Sequence, residues 1–141
     1  MTFSESIRTC LAKATTWQGR AARSEYWYFV LFCVLSQIAA MVIDGVLGTG
    51  FKSTNPMTGM EQSMGYGWVY LLTGLALLLP SLAALVRRLH DTDRSGWWYW
   101  IALIPLVGII LLIVWLASRG TSGNNGYGSD PLGTDLGTTF N

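Results

Sequence analysis

The sequence is poor in charged residues, histidine and cysteine. Its 141 residues include 9 Lys and Arg, 8 Asp and Glu, one histidine and 2 cysteines, so charged residues make up 12% of the chain. Soluble domains contain about a quarter of charged residues, and the mean hydropathy here is +0.38. The composition therefore disfavours a soluble protein and indicates a membrane protein.

These scarcities also argue against several functions. Cys10 and Cys33 cannot form a disulfide framework, and Cys33 lies inside an apolar run, where it acts as a small hydrophobe. With His90 as the only histidine, we predict neither a metal site with Asp91 and Asp93 nor a Ser-His-Asp hydrolase, and no cofactor. The net charge of +1 gives no reason to propose nucleic acid.

Long apolar segments dominate what remains. Each can cross a hydrocarbon core of about 30 Å at roughly 1.5 Å per residue. We predict spanning helices at 26–45, 68–86 and 97–116, the last two bent at Pro80 and Pro105. Polar residues interrupt the first 25 positions, so no cleaved leader is expected. The predicted fold is an all-α polytopic membrane protein with a single domain, 1–141.

The remaining segments are polar. Residues 3–18 have the spacing of an amphipathic helix, which either lies flat on the cytoplasmic leaflet or, with equal weight, packs on the rest of the protein. Residues 44–67 lack periodicity and are predicted to form a loop, with Asp44 in water at the far interface. The Gly- and Asn-rich tail, 120–141, is expected to form turns and to be disordered over its last ten residues.

The distribution of Lys and Arg predicts the orientation. Four cations precede the first predicted span and three follow the second, whereas Lys52 and Arg119 are alone in their segments. The positive-inside bias then places the N-terminus and the 87–96 loop in the cytoplasm and the tail outside. The expected location is a plasma membrane crossed several times.

Three blocks of sequence are similar to a known family. They are 19–27 (GRAARSEYW), 87–98 (RRLHDTDRSGWW) followed by Ile104, Pro105 and Gly108, and a tail block with Gly120, Thr121, Gly123, Asn125, Tyr127, Gly128, Asp130 and Pro131. In these blocks the chain resembles the DUF805 family of small bacterial inner-membrane proteins. The resemblance implies an inner-membrane location but no reaction, because the family's function is unassigned.

The charged residues of the first two blocks form the candidate site. They are Arg20, Arg23, Glu25, Arg87, Arg88, His90, Asp91, Asp93 and Arg94. Because arginine pairs phosphate bidentately, we predict a non-catalytic module with a basic cytoplasmic site for anionic lipid headgroups or a protein partner. The simpler interpretation has more weight, namely that the aspartates neutralise the arginines in a surface hinge.

Other functions and partners stay open at this point. The alternatives are a small oligomeric transporter or channel and, third, a membrane-surface enzyme acting on a phosphate-bearing lipid. The expected partners are membrane lipids, with a membrane protein or a second copy of the chain as further options.

Overall fold

The computed structural model describes residues 1–133, which are mostly helical with one small sheet. The elements are α1 (Phe3–Ala12), α2 (Arg23–Leu47), β1 (Gly50–Thr54), β2 (Glu61–Gly67), α3 (Trp68–Asp91), a 3₁₀ helix (Gly96–Leu103) and α4 (Val107–Ala117). The chain divides into two compact units, Met1–Phe29 with Pro80–Asn141 (unit 1) and Val30–Leu79 (unit 2). The predicted terminal disorder falls mainly on 134–141, outside the described residues.

Two helices are long and apolar enough to cross a membrane, α2 with 25 residues and α3 with 24. They contain the segments predicted at 26–45 and 68–86, and most of their large apolar side chains are exposed. Helix α3 continues through Pro80 and ends only at Asp91. The first half of the predicted hinge, Arg87 to Asp91, is therefore the end of this helix, where cations are favoured by the helix dipole.

Helix α1 is shorter than predicted. Thr2 and Glu5 form a capping box at its start, and the bond from the Thr2 backbone N–H lowers the pKa of Glu5. The helix ends at Ala12, with Lys13 as its C-cap, instead of at residue 18. The residues that follow include the β-branched pair Thr15 and Thr16, which lose rotamer freedom in a helix.

Unit 2 contains a β-hairpin in the segment predicted to be a loop, so the protein is not all-α. Strands β1 and β2 are antiparallel, with Lys52 opposite Ser63 and Thr54 opposite Glu61. Nearly every residue of the two strands is exposed or half-buried. A strand with no buried face has no reason to alternate apolar and polar residues, which explains why the residue pattern predicted a loop here.

Asp44, at the end of α2, is buried instead of lying in water. Its side chain accepts hydrogen bonds from the backbone N–H groups of Val69 (3.0 Å) and Tyr70 (2.8 Å) and from the hydroxyl of Thr49 (2.5 Å). The first N–H groups of a helix have no partner inside it. Asp44 therefore caps the start of α3, and these bonds compensate for the burial of its charge.

In unit 1, the third predicted span, 97–116, is not one helix. The 3₁₀ helix and α4 are separated by a reversal at Pro105, which has no N–H and holds Ile104 in an extended conformation. Leu106 follows with φ +61°, and the Val107 N–H bonds the Pro105 carbonyl at 2.7 Å. The chain doubles back there, so that residues 96–117 form an apolar hairpin.

Candidate functional site

Five of the nine predicted site residues meet in unit 1 as a buried charge cluster. The cluster consists of Arg20, Glu25, Arg87, Arg88 and Asp91, whose exposed fractions lie between 0% and 8%. It joins the segment before α2, the first turn of α2 and the end of α3.

Asp91 forms ion pairs with two of the arginines, Arg20 and Arg88. One carboxylate oxygen accepts from Nε of Arg20 at 3.0 Å, and the other accepts from Nη1 of Arg88. The three side chains are at most 5% exposed. The interpretation in which an aspartate neutralises the arginines is therefore correct for Asp91.

The other bonds of Arg88 go to backbone carbonyl groups. Its Nε donates to Leu116 at 2.9 Å, its Nη2 to Ser118 and its Nη1 to Ala21 at 3.3 Å. Leu116 belongs to the last turn of α4, where carbonyl groups lack partners inside the helix. Arg88 thus connects the end of the apolar hairpin to the segment before α2 and to the end of α3.

Arg20 connects the tail to the same place. Its guanidinium donates to the carbonyl oxygens of Gly123 (2.6 Å) and Thr121 (2.5 Å). The Thr121 N–H in turn donates to the Asp91 carbonyl at 2.9 Å, and the Asn125 amide donates to the His90 carbonyl at 2.9 Å. The tail is therefore held against the end of α3 by side-chain and backbone bonds.

These contacts correct the predicted position of the tail. Residues 118–128 contact the end of α3 and Arg20, three residues before α2, so they lie on the same side of any membrane that these helices cross. The prediction of a tail on the opposite side from the 87–96 loop was wrong. It assumed a third crossing at 97–116, whereas that segment folds into a hairpin whose two ends both contact the end of α3.

Arg87 attaches α1 to this assembly. Its guanidinium donates to Glu25 at 2.8 Å and lies 3.9 Å from the sulfur of Cys10, and the Ser6 hydroxyl donates to the Glu25 carbonyl at 2.5 Å. Burial, with the nearby charge of Glu25, raises the pKa of the Cys10 thiol to about 11. Of the two arrangements considered for α1, the structure has the one in which the helix packs on the protein.

The side chain of His90 contacts two other parts of the protein. Its ring stacks on that of Tyr127, with centroids 4.0 Å apart, and Nδ1 lies 3.2 Å from the Gly19 carbonyl oxygen. Across residues 1–133, no group of three His, Cys, Asp or Glu residues could hold a metal ion.

The remaining predicted residues, Arg23, Asp93 and Arg94, lie outside the buried charge cluster. The Arg94 guanidinium lies 4.6 Å from the ring centroid of Trp115 and donates to the Thr92 carbonyl at 3.1 Å. Asp93 is exposed, with φ +58°. Neither Asp93 nor Arg94 therefore belongs to the site formed around Asp91.

Arg23 lines a cleft that the sequence did not predict. The cleft has a volume of about 290 Å³ and is lined by Arg23, Asp91, Arg119, Gly120, Ser122, Asp130 and Leu132. Sequence reasoning missed Arg119 because the tail was expected on the other side of the membrane. The signal available was its position directly before the tail block that begins at Gly120.

Comparison with known proteins covers most of the chain. The family described as "Protein of unknown function (DUF805)" matches residues 14–129. The inner membrane protein YhaH of Escherichia coli K12 is 37% identical over 114 residues, which cover 81% of this chain and 85% of YhaH. The inner membrane protein YhaI of the same strain is 39% identical over 113 residues, 80% of this chain and 83% of YhaI. No solved structure matches. The matched region includes the whole buried charge cluster, and the chain belongs to the DUF805 family.

Proposed function

We propose that the chain is a non-catalytic module of the bacterial inner membrane that binds the phosphate of anionic lipid headgroups at its cytoplasmic face. The supporting observations are two membrane-capable helices, relatives that are inner membrane proteins, and a cleft with two arginines at the polar end of unit 1. Of these observations, the cleft is the one on which the proposal depends.

The buried arginines are poorly suited to bind a headgroup. Arg88 is 0% exposed and Arg87 1%, and each donates to carboxylate or carbonyl oxygens of the protein. A phosphate could reach them only by displacing those bonds, which are costly to leave unmade in a buried site. We therefore assign these arginines a structural role and look for the anion site among the exposed cations.

Arg23 and Arg119 have the required properties. Both are exposed, and within residues 1–133 neither forms an ion pair. Arg23 is also the first residue of α2, and the N–H groups at the start of a helix attract anions. Two guanidinium groups beside a helix start and the hydroxyl of Ser122 form a suitable donor set for phosphate.

The two carboxylates of the cleft do not cancel this positive charge. Asp91 is already paired with Arg20 and Arg88. Asp130 accepts the backbone N–H groups of Gly123 (3.0 Å) and Leu132 (2.9 Å), and these bonds lower its pKa. The two exposed guanidinium groups therefore outnumber Asp130, the one cleft carboxylate that is in no ion pair within residues 1–133.

The orientation that we propose follows from the distribution of Lys and Arg between the two units. Eight of the nine Lys and Arg residues belong to unit 1, and Lys52 alone belongs to unit 2. With Arg119 on the side of the 87–96 loop, the asymmetry in Lys and Arg is larger than the seven against two predicted for three spans. The positive-inside bias then favours a cytoplasmic position for the N-terminus, the loop and the tail.

Native mass spectrometry of the purified protein with added lipids tests the proposal. We expect retention of phosphatidylglycerol over phosphatidylcholine of the same acyl chains, reduced several-fold in Arg23→Gln/Arg119→Gln. Lys52→Gln, which removes an exposed cation from unit 2, is the matched control and should retain the lipid. Competition by inorganic phosphate would show that free phosphate and headgroup share the site.

Equal retention by the double variant and the unaltered chain would overturn the proposal. A spectrum in which the double variant loses a protein partner or a second copy of the chain, with lipid retention unchanged, would replace it by a protein interface.

A further inference from the structure

We infer that the apolar hairpin, residues 96–117, is a re-entrant segment. It enters the membrane from the face that carries the buried charge cluster, reaches about the middle of the bilayer and returns to the same face. Its outer surface is covered by the acyl chains of that leaflet. The inference depends on α2 and α3 crossing the membrane, and it is independent of headgroup binding.

Both ends of the hairpin are anchored at one place. The entry is fixed by the end of α3, because the Arg94 N–H donates to the Leu89 carbonyl at 3.0 Å and Ser95 caps the 3₁₀ helix. The exit is fixed by Arg88, which binds the carbonyl groups of Leu116 and Ser118. A segment held in this way cannot end on the opposite side of the membrane.

The two legs have matching lengths. The 3₁₀ helix has 8 residues and α4 has 11. At about 2.0 Å and 1.5 Å per residue, each leg is about 16 Å long, roughly half of a hydrocarbon core of about 30 Å. Trp98 and Trp115, near the open end, pack with ring centroids 5.5 Å apart, so the legs lie side by side.

Three backbone N–H groups at the tip have acceptors within the hairpin, which the interior of a bilayer favours. The N–H of Ile104 donates to Ile101, that of Val107 to Pro105 and that of Gly108 to Ile104. Pro105 has no N–H to satisfy.

The close approach of the legs depends on Gly108. A Cβ atom at this position would lie 1.7 Å from the carbonyl oxygen of Ile101. Any other residue would force the 3₁₀ helix and α4 apart. The hairpin is therefore a packed unit that presents one surface outward.

That surface is apolar along its length. Residues 96–117 contain no charged side chain, and Leu103, Leu106 and Ile110 are 73%, 76% and 59% exposed. Trp97 and Trp100 are exposed closer to the entry, and tryptophan is enriched at membrane interfaces. The gradient from aromatic to aliphatic side chains agrees with a hairpin that starts in the headgroup region and ends among acyl chains.

Single cysteines in a background with Cys10→Ala and Cys33→Ala test on which side the hairpin exits. We choose Gln18→Cys before α2, Asn124→Cys in the tail and Met57→Cys in the β1–β2 turn, all exposed positions. With a membrane-impermeant maleimide, Gln18→Cys and Asn124→Cys should react from one side, and Met57→Cys from the other. Labelling of Asn124→Cys together with Met57→Cys would show a third crossing and overturn the inference.

Nitroxide labels at Leu103→Cys and Trp97→Cys test the depth of the hairpin. The measurement, in liposomes, is the ratio of nitroxide collisions with oxygen to collisions with a polar nickel complex. We expect this ratio to be at least several-fold higher at Leu103→Cys than at Trp97→Cys. Equal ratios would indicate a hairpin lying flat at the interface, and low access to both agents at Leu103→Cys would indicate a protein contact. Either result would contradict the inference, while lipid retention measures headgroup binding separately.

Discussion

The guanidinium of Arg88 lies 2.9 Å from the backbone carbonyl of Leu116, 28 residues away in the sequence. This bond joins the end of α3 to the end of α4. It holds the end of the apolar hairpin, and with it the start of the tail, against the end of α3.

Arg88→Lys tests the importance of this connection. Lysine keeps the charge but cannot reach the four acceptors that the planar guanidinium binds together. We expect a loss of about 2–4 kcal/mol in the free energy of unfolding, measured by thermal unfolding in detergent. The control is Arg8→Lys at an exposed position of α1, where a change within about 0.5 kcal/mol is expected. Equal melting temperatures would contradict the assignment.

Asp91→Asn removes the charge that Arg20 and Arg88 share. Leaving buried cations without their anion costs about 3–5 kcal/mol, so we expect a large fall in the melting temperature in detergent. Asp93→Asn changes the same side chain two residues away, where it is exposed and φ is +58°, a conformation that asparagine tolerates. If the two variants melted alike, the central role of Asp91 would have to be abandoned.

Gly120→Ala should release the tail from the end of α3. The added Cβ would lie 2.0 Å from a carboxylate oxygen of Asp91, so either the tail or the ion pairs of Asp91 must move. We expect faster proteolysis after residue 118 and a lower melting temperature. Gly126→Ala, whose Cβ would meet only an Asp93 oxygen at 3.9 Å, is the control and should resemble the unaltered protein.

The Cys10 thiol should react slowly at neutral pH. Because burial raises its pKa from 9.0 to about 11, and the thiolate is the reactive form, its rate should rise steeply only as the pH approaches the raised value. The measurement is the rate of disulfide exchange with an aromatic disulfide in the Cys33→Ala variant. The chain unfolded in detergent should react faster at about pH 8, and equal rates for both states would refute the prediction.

Part of the candidate site was predictable from the sequence. The presence of ionisable groups near the ends of two apolar helices indicated a cluster, and Arg20, Glu25, Arg87, Arg88 and Asp91 do meet. Whether an arginine is exposed or buried was not predictable, because it depends on partners far along the chain. Arg20, for example, donates to Gly123, 103 residues away.

The cleft lined by Arg23 and Arg119 was also not predictable from the sequence, because it brings together residues far apart in the chain. Arg119 appeared isolated in the sequence, and only the return of the hairpin brings it close to Arg23. Asp44 was placed in water for a similar reason, since the N–H groups that it accepts belong to a helix that starts 24 residues later.

The sequence by itself determined the apolar helices α2 and α3, the concentration of cations near their polar ends and the family. These properties depend on local composition, because the free energy of moving side chains from water into lipid is approximately a sum over neighbouring residues. The tertiary structure alone decided the path after Pro105, the contact of the tail with the end of α3 and which arginines remain exposed. Each of these depends on bonds between distant segments, and local composition does not encode them.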